Sequence, residues 1–141
     1  MIGNNLETRF SRIGADDVEG ALSVTAVAAE NIAAYDVVAL NSSDQFVKAD
    51  ASDAAKIFVV GIAPKKIDSG TQGTVMRQCE LSNANWTWTA QSKLYLSDAT
   101  AGRMSHDQPL AESGNYSVLC ALTRTSKKIL FNADLGSVVQ R

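Results

Sequence analysis

The sequence predicts a mainly β domain, a small β-barrel or β-sandwich preceded by an extended N-terminal arm. Three observations predict it. Short segments that alternate apolar with polar, or that concentrate Val, Ile and Leu, recur about every eight to twelve residues. Clusters of Asn, Asp, Ser and Gly separate them, and these residues favour turns through local side-chain hydrogen bonds and tolerance of left-handed backbone. Residues 1–20 lack the pattern. At 141 residues the chain is one domain with enough length to bury a core without disulfides.

Residues 1–20 mix Asn, Arg, Ser and Gly with an acidic Asp16-Asp17-Val18-Glu19-Gly20 run. The apolar Ile2, Leu6, Phe10 and Ile13 are spaced by three to four, which fits a weak amphipathic turn or an arm that orders on a partner. The arm reading is preferred, and the β-rich domain then spans residues 21–141. Residues 21–28 alternate as a half-buried strand does. Residues 28–35 form a bend into a strand over 36–40. Asn41-Ser42-Ser43-Asp44 is a turn, and 45–49 is its return strand, giving a hairpin. Residues 50–56 are a helical turn or a loop. The nearly all-apolar 57–63 reads as a central strand ended by Pro64.

Residues 67–73 are a turn, and 74–81 alternate well enough for one strand. Trp86-Thr87-Trp88-Thr89 alternates fully and reads as a strand with both indoles on one side. Lys93-Leu94-Tyr95-Leu96 and 102–105 flank a turn at 97–101. After a polar loop from Ser105 to Asn115, strands are expected over 116–123 and 128–131, joined by a turn at 124–127. Residues 134–139 close the chain.

Bulk properties exclude several classes. The formal net charge is -2, and no Lys/Arg run exceeds two residues, so the clustered basic face that grips nucleic acid is missing. No apolar run is long enough to span a membrane, and residues 1–10 do not read as a secretory signal. Aromatic residues make up only 6 %, so the core rests on Val, Ile, Leu and Ala, and association can supply part of the stability. Cys79 and Cys120 have no CxxC spacing and are expected to be small buried hydrophobes rather than a disulfide. The Asn-x-Ser/Thr triplets at Asn41, Asn85 and Asn115 carry no glycosylation meaning without a signal.

Little in the chain is equipped for chemistry. The single histidine, His106, lies in the polar loop and is expected to be solvated, with no partner set for zinc and no serine elbow for a triad. Gly70-Thr71-Gln72-Gly73 lacks the Lys-Ser/Thr of a phosphate loop and leads into a strand. Asp50, Asp53 and Asp16-Asp17 miss the calcium-loop spacing. No catalytic residue, metal or cofactor is assigned, and the chain is not expected to be an enzyme. Trp86, Trp88 and Tyr95 are candidates for the core or for an interface between subunits. The two indoles are also candidates for stacking on sugar rings.

The order of several strand-and-turn phrases resembles the capsid decoration proteins of tailed bacteriophages, the cement or head-stabilising proteins, and related head-fibre modules. The phrases are Ile32-Ala33-Ala34-Tyr35-Asp36-Val37-Val38-Ala39-Leu40, Val59-Val60-Gly61-Ile62-Ala63, Trp88-Thr89 through Lys93-Leu94-Tyr95-Leu96-Ser97-Asp98-Ala99-Thr100-Ala101-Gly102, Leu119-Cys120-Ala121-Leu122, and Ile129-Leu130-Phe131-Asn132. They cover most of residues 21–135. Where that family carries glycine ahead of the aspartate, this chain has Tyr35, and the usual glycine near Gln91 is missing.

The resemblance implies a homotrimer on the outer capsid surface of the virion, at three-fold or quasi-three-fold positions, made in the host cytoplasm. Its partners would be the major capsid protein and itself, with no nucleic acid and no membrane. It would clamp capsid subunits against internal DNA pressure, gripping them through its arm. The arm's candidate contacts are Asn4, Leu6, Arg9, Phe10 and Ile13. The competing reading is a receptor- or glycan-binding head-fibre or tail module that uses Trp86 and Trp88.

Overall fold

The computed structural model describes residues 22–135 and 138–141. The arm, with Asn4, Leu6, Arg9, Phe10 and Ile13, lies outside the described residues. The rest is mainly β, as the patterning predicts. The strands in chain order are β1 (Ser23–Val27), β2 (Val37–Leu40), β3 (Phe46–Lys48), β4 (Val59–Ile62), β5 (Gln72–Met76), β6 (Gln78–Ser82), β7 (Lys93–Leu96), β8 (Met104–Ser105), β9 (Tyr116–Ser117), β10 (Leu119–Thr125), β11 (Lys128–Asn132) and β12 (Val139–Gln140). They form a five-stranded sheet ordered β1-β5-β4-β2-β3, a second ordered β6-β11-β10-β7-β8, and a two-stranded β12-β9 pair. None of the three closes on itself, which removes the barrel alternative.

The two large sheets share one core. Val37, Ala39 and Ile62 of the first meet Leu94, Leu96, Cys120, Ala121, Ile129 and Phe131 of the second. The first sheet is buried on its other face as well, where Val38, Phe46 and Val75 pack with Ile32, Ala63 and Ile67. Ile32 and Ile67 hold the covering segments together by exchanging two backbone hydrogen bonds of 2.9 Å. Burial on both faces explains why β2 and β4 read as continuous apolar runs rather than alternating ones. β4 is central, as its composition predicts.

The β2–β3 hairpin forms with Leu40 opposite Phe46. Its turn is held by Asn41, whose Oδ1 accepts from the Ser43 and Gln45 N–H groups. Of the two options for residues 50–56, a short 3-10 turn forms over Ala54–Lys56, with Asp53 accepting from the Ala55 N–H.

Three expected strands differ. Residues 116–123 are not one strand, because β9 pairs with β12 while β10 belongs to the second sheet. Residues 74–81 are not one strand, because β5 belongs to the first sheet and β6 to the second. The chain changes sheets at Arg77. Its N–H donates to the Leu22 carbonyl, its carbonyl accepts from the Ala133 N–H, and its guanidinium grips both oxygens of Asp134 at 2.6 Å. The inward residues Val75, Cys79 and Leu81 keep the same odd parity across the switch, so alternation reads straight through it. Trp86-Thr87-Trp88-Thr89 is likewise not a strand. The Trp88 N–H is satisfied by the Ser126 carbonyl at 3.0 Å, outside any ladder. The expected turn over 67–73 is shorter, since β5 begins at Gln72.

Both cysteines are free thiols. Burial pushes Cys120 up to about 12 and raises half-buried Cys79, so neither is a ready thiolate. No helix among the described residues is long and apolar enough to cross a membrane.

Candidate functional site: an aromatic cleft and an apolar sheet face

The structure gathers Trp86 and Trp88 with residues distant in sequence. Tyr35 meets Trp86 edge-on with ring centroids 5.1 Å apart, Trp86 and Trp88 lie tilted at 6.0 Å, and Trp88 meets His106 edge-on at 5.3 Å. Both indoles are half-buried against the shared core. They do lie side by side, yet not through the predicted strand. Tyr35, Trp86, Trp88, Arg103 and Met104 line a cleft of about 200 Å³.

The walls of this cleft are pinned from behind. Tyr35 has φ 70, a left-handed conformation that an L residue with a bulky side chain rarely adopts. Its N–H donates to the Ala63 carbonyl at 2.6 Å and its hydroxyl to the Ser82 carbonyl at 3.1 Å. The next residue, Asp36, is fully buried. Its Oδ2 accepts from the Ala33 N–H at 2.8 Å, and its Oδ1 lies 3.6 Å from Arg103 Nε. Desolvation raises Asp36 above the ordinary carboxylate range, against the opposing pull of the Ala33 N–H and the Arg103 charge. Gly102, at φ +81, presses on that carboxylate. A Cβ there would sit 2.9 Å from Asp36 Cγ.

His106 corrects the expectation of a solvated ring. It is half-buried, and both of its nitrogens are engaged. Nε2 accepts from the Thr89 N–H at 3.0 Å, and Nδ1 faces the Lys93 carbonyl at 2.9 Å. An N–H can only donate and a carbonyl can only accept, so the proton sits on Nδ1. The ring ties the Trp88 segment to β7.

Tyr95 lies elsewhere. It is half-buried on the outer face of the second sheet, opposite Leu119 and Ser105. Register aligns Glu80, Leu130, Leu122 and Lys93 in one row across four strands of that sheet. Leu122 is 40 % and Leu130 42 % exposed. They line a groove of about 460 Å³ with Gln91, Thr123, Arg124 and Thr125. Arg124 and Lys128 both pair with Glu80, at 2.9 and 3.6 Å. Tyr95 is therefore separate from the Trp86–Trp88 cluster.

Sequence reasoning did not find Tyr35, Asp36, Arg103 or Met104. Tyr35, like Gln91 at φ 54, holds left-handed backbone, at φ 70, which neither residue type advertises in a sequence. Among the described residues no group of three or more His, Cys, Asp and Glu is placed to hold a metal ion. Asp50 bonds to Ser52 and Asp53 caps the 3-10 turn. No protein-family model matches this chain, and no curated protein matches it.

Proposed function

We propose that this chain is a structural virion protein of a tailed phage. In this reading it is a homotrimeric β-sandwich cement protein on the outer capsid surface. It sits at three-fold or quasi-three-fold positions and clamps neighbouring major capsid subunits against internal DNA pressure. The observation that carries the reading is the outer face of the second sheet, where the Leu122–Leu130 cross-strand pair and Tyr95 present apolar surface within a charged rim. Apolar patches of this kind mark sites of association.

A ring of three identical subunits closes heterologous contacts without leaving an open fibre. Each subunit then repeats one capsid contact, so a modest single affinity becomes tight attachment through effective concentration. The order of the strand-and-turn phrases supplies the class of partner. The test is co-sedimentation of the purified chain with expanded phage shells that lack it. Saturable occupancy is expected, and absence of binding to every such shell would overturn the reading.

A further inference from the structure

Three unfavourable features converge on the aromatic cleft. Tyr35 holds a left-handed backbone without being glycine. Asp36 is a buried carboxylate whose one cation contact among the described residues is long, 3.6 Å to Arg103. Trp88 keeps its indole N–H buried with no acceptor among the described residues. Backbone outliers and breaches of local design rules concentrate where a structure serves a ligand rather than its own stability. Tyr35 and Trp88 are themselves walls of the cleft, and Asp36 lies 3.6 Å from a third, Arg103.

The lining specifies the ligand. The rings and the Met104 thioether are apolar faces, suited to the C–H face of a sugar or to another ring. The charged group of the lining, Arg103, is a donor. Arg103 is half exposed, and its side chain approaches Asp36 through Nε at 3.6 Å, with no hydrogen bond to its terminal nitrogens among the described residues. The Tyr35 hydroxyl already donates to Ser82, which leaves it to accept. At about 200 Å³ the cleft is smaller than the roughly 300 Å³ at which sites for drug-sized molecules begin, so it admits one ring.

We propose that this cleft binds a single pyranose unit bearing a carboxylate, such as the uronic acid units of acidic polysaccharides. The ring packs on Trp86 and Tyr35, and the carboxylate is taken by the terminal nitrogens of Arg103 in the two-pronged geometry that guanidinium favours. This site does not depend on the capsid reading and can be tested on the protein in solution.

The experiment titrates tryptophan emission with sodium glucuronate and, separately, with glucose. Saturation-transfer NMR on the unaltered chain is the second readout. Glucuronate is expected to saturate at about 1 mM, with glucose roughly tenfold weaker. Arg103→Gln should erase the preference, and Trp86→Leu should erase binding, each with its fold checked by circular dichroism. An unaltered chain that gives no saturable response to glucuronate overturns the proposal whatever the variants do. Equal affinity for glucose, or a preference that survives in folded Arg103→Gln, also overturns it.

Discussion

Arg103 Nε lies 3.6 Å from Oδ1 of Asp36, a pair in which the arginine side chain is 52 % exposed and the aspartate 2 %. The contact joins the segment before β2 to the segment before β8. It places a guanidinium at the mouth of the aromatic cleft, while its counter-charge stays inside the protein. Such a pair favours geometry over stability, because desolvating the carboxylate costs more than one long contact returns.

Asp36 therefore sets a pH dependence of known sign. Its carboxyl titrates above the ordinary 3.8 because burial outweighs the Ala33 N–H and Arg103. The folded chain holds that proton more tightly than the unfolded chain. The stability contributed by Asp36 is full below the unfolded value and is lost as pH rises through the folded one. Asp36→Asn cannot titrate. Its unfolding free energy relative to wild type should move in its favour as pH rises from 3.8 through the raised value, read by urea unfolding at a series of pH values. A pH-independent gap would contradict this.

Gly102→Ala and Gly114→Ala separate backbone strain from steric clash. Both glycines are left-handed, at φ +81 and +83. A Cβ at Gly114 meets nothing within 4 Å, while one at Gly102 meets Asp36 Cγ and Oδ1 at 2.9 Å. Gly114→Ala should cost about 1 kcal/mol, the left-handed penalty alone. Gly102→Ala should cost about 2 kcal/mol or more, because the carboxylate and its partner must move. Urea unfolding of the two variants checks the order.

Gln91 offers the opposite change. It is left-handed at φ 54, with its N–H bonded to the Thr123 carbonyl at 3.0 Å. Gln91→Gly should stabilise by roughly 0.5 kcal/mol, since relief of the left-handed conformation exceeds the added chain entropy. Tyr35→Gly relieves similar strain, but it removes the ring against Trp86 and the bond to Ser82, so a net loss is expected. Thermal unfolding distinguishes the two.

The His106 ring carries its proton on Nδ1 when neutral, because the Thr89 N–H occupies Nε2. A long-range 1H–15N spectrum at alkaline pH should show that tautomer. His106→Ala leaves the Thr89 donor and the Lys93 acceptor without this partner, and should cost about 1 kcal/mol by urea unfolding.

Much of the fold was legible because burial leaves a periodic trace. The β2–β3 hairpin announced itself through Asn41-Ser42-Ser43-Asp44, and β4 through its apolar run. The sheet switch at Arg77 left no trace, since the inward parity of Val75, Cys79 and Leu81 continues across it. Trp86-Thr87-Trp88-Thr89 carried a strand's alternation without a strand's partner. The cleft was legible only in its tryptophans. Tyr35, Arg103 and His106 join it through long-range packing that local spacing does not encode. Asp36 opens the expected strand over 36–40, and nothing in its spacing marks it as buried.

The most direct test of the association that underlies the proposed function is the light-scattering mass of the purified full chain. Three times the 15.0 kDa of one chain is expected, falling to a folded monomer when Leu122 and Leu130 are both changed to Lys. A monomer at every concentration, or a trimer indifferent to that double change, would contradict the role given to the outer face of the second sheet.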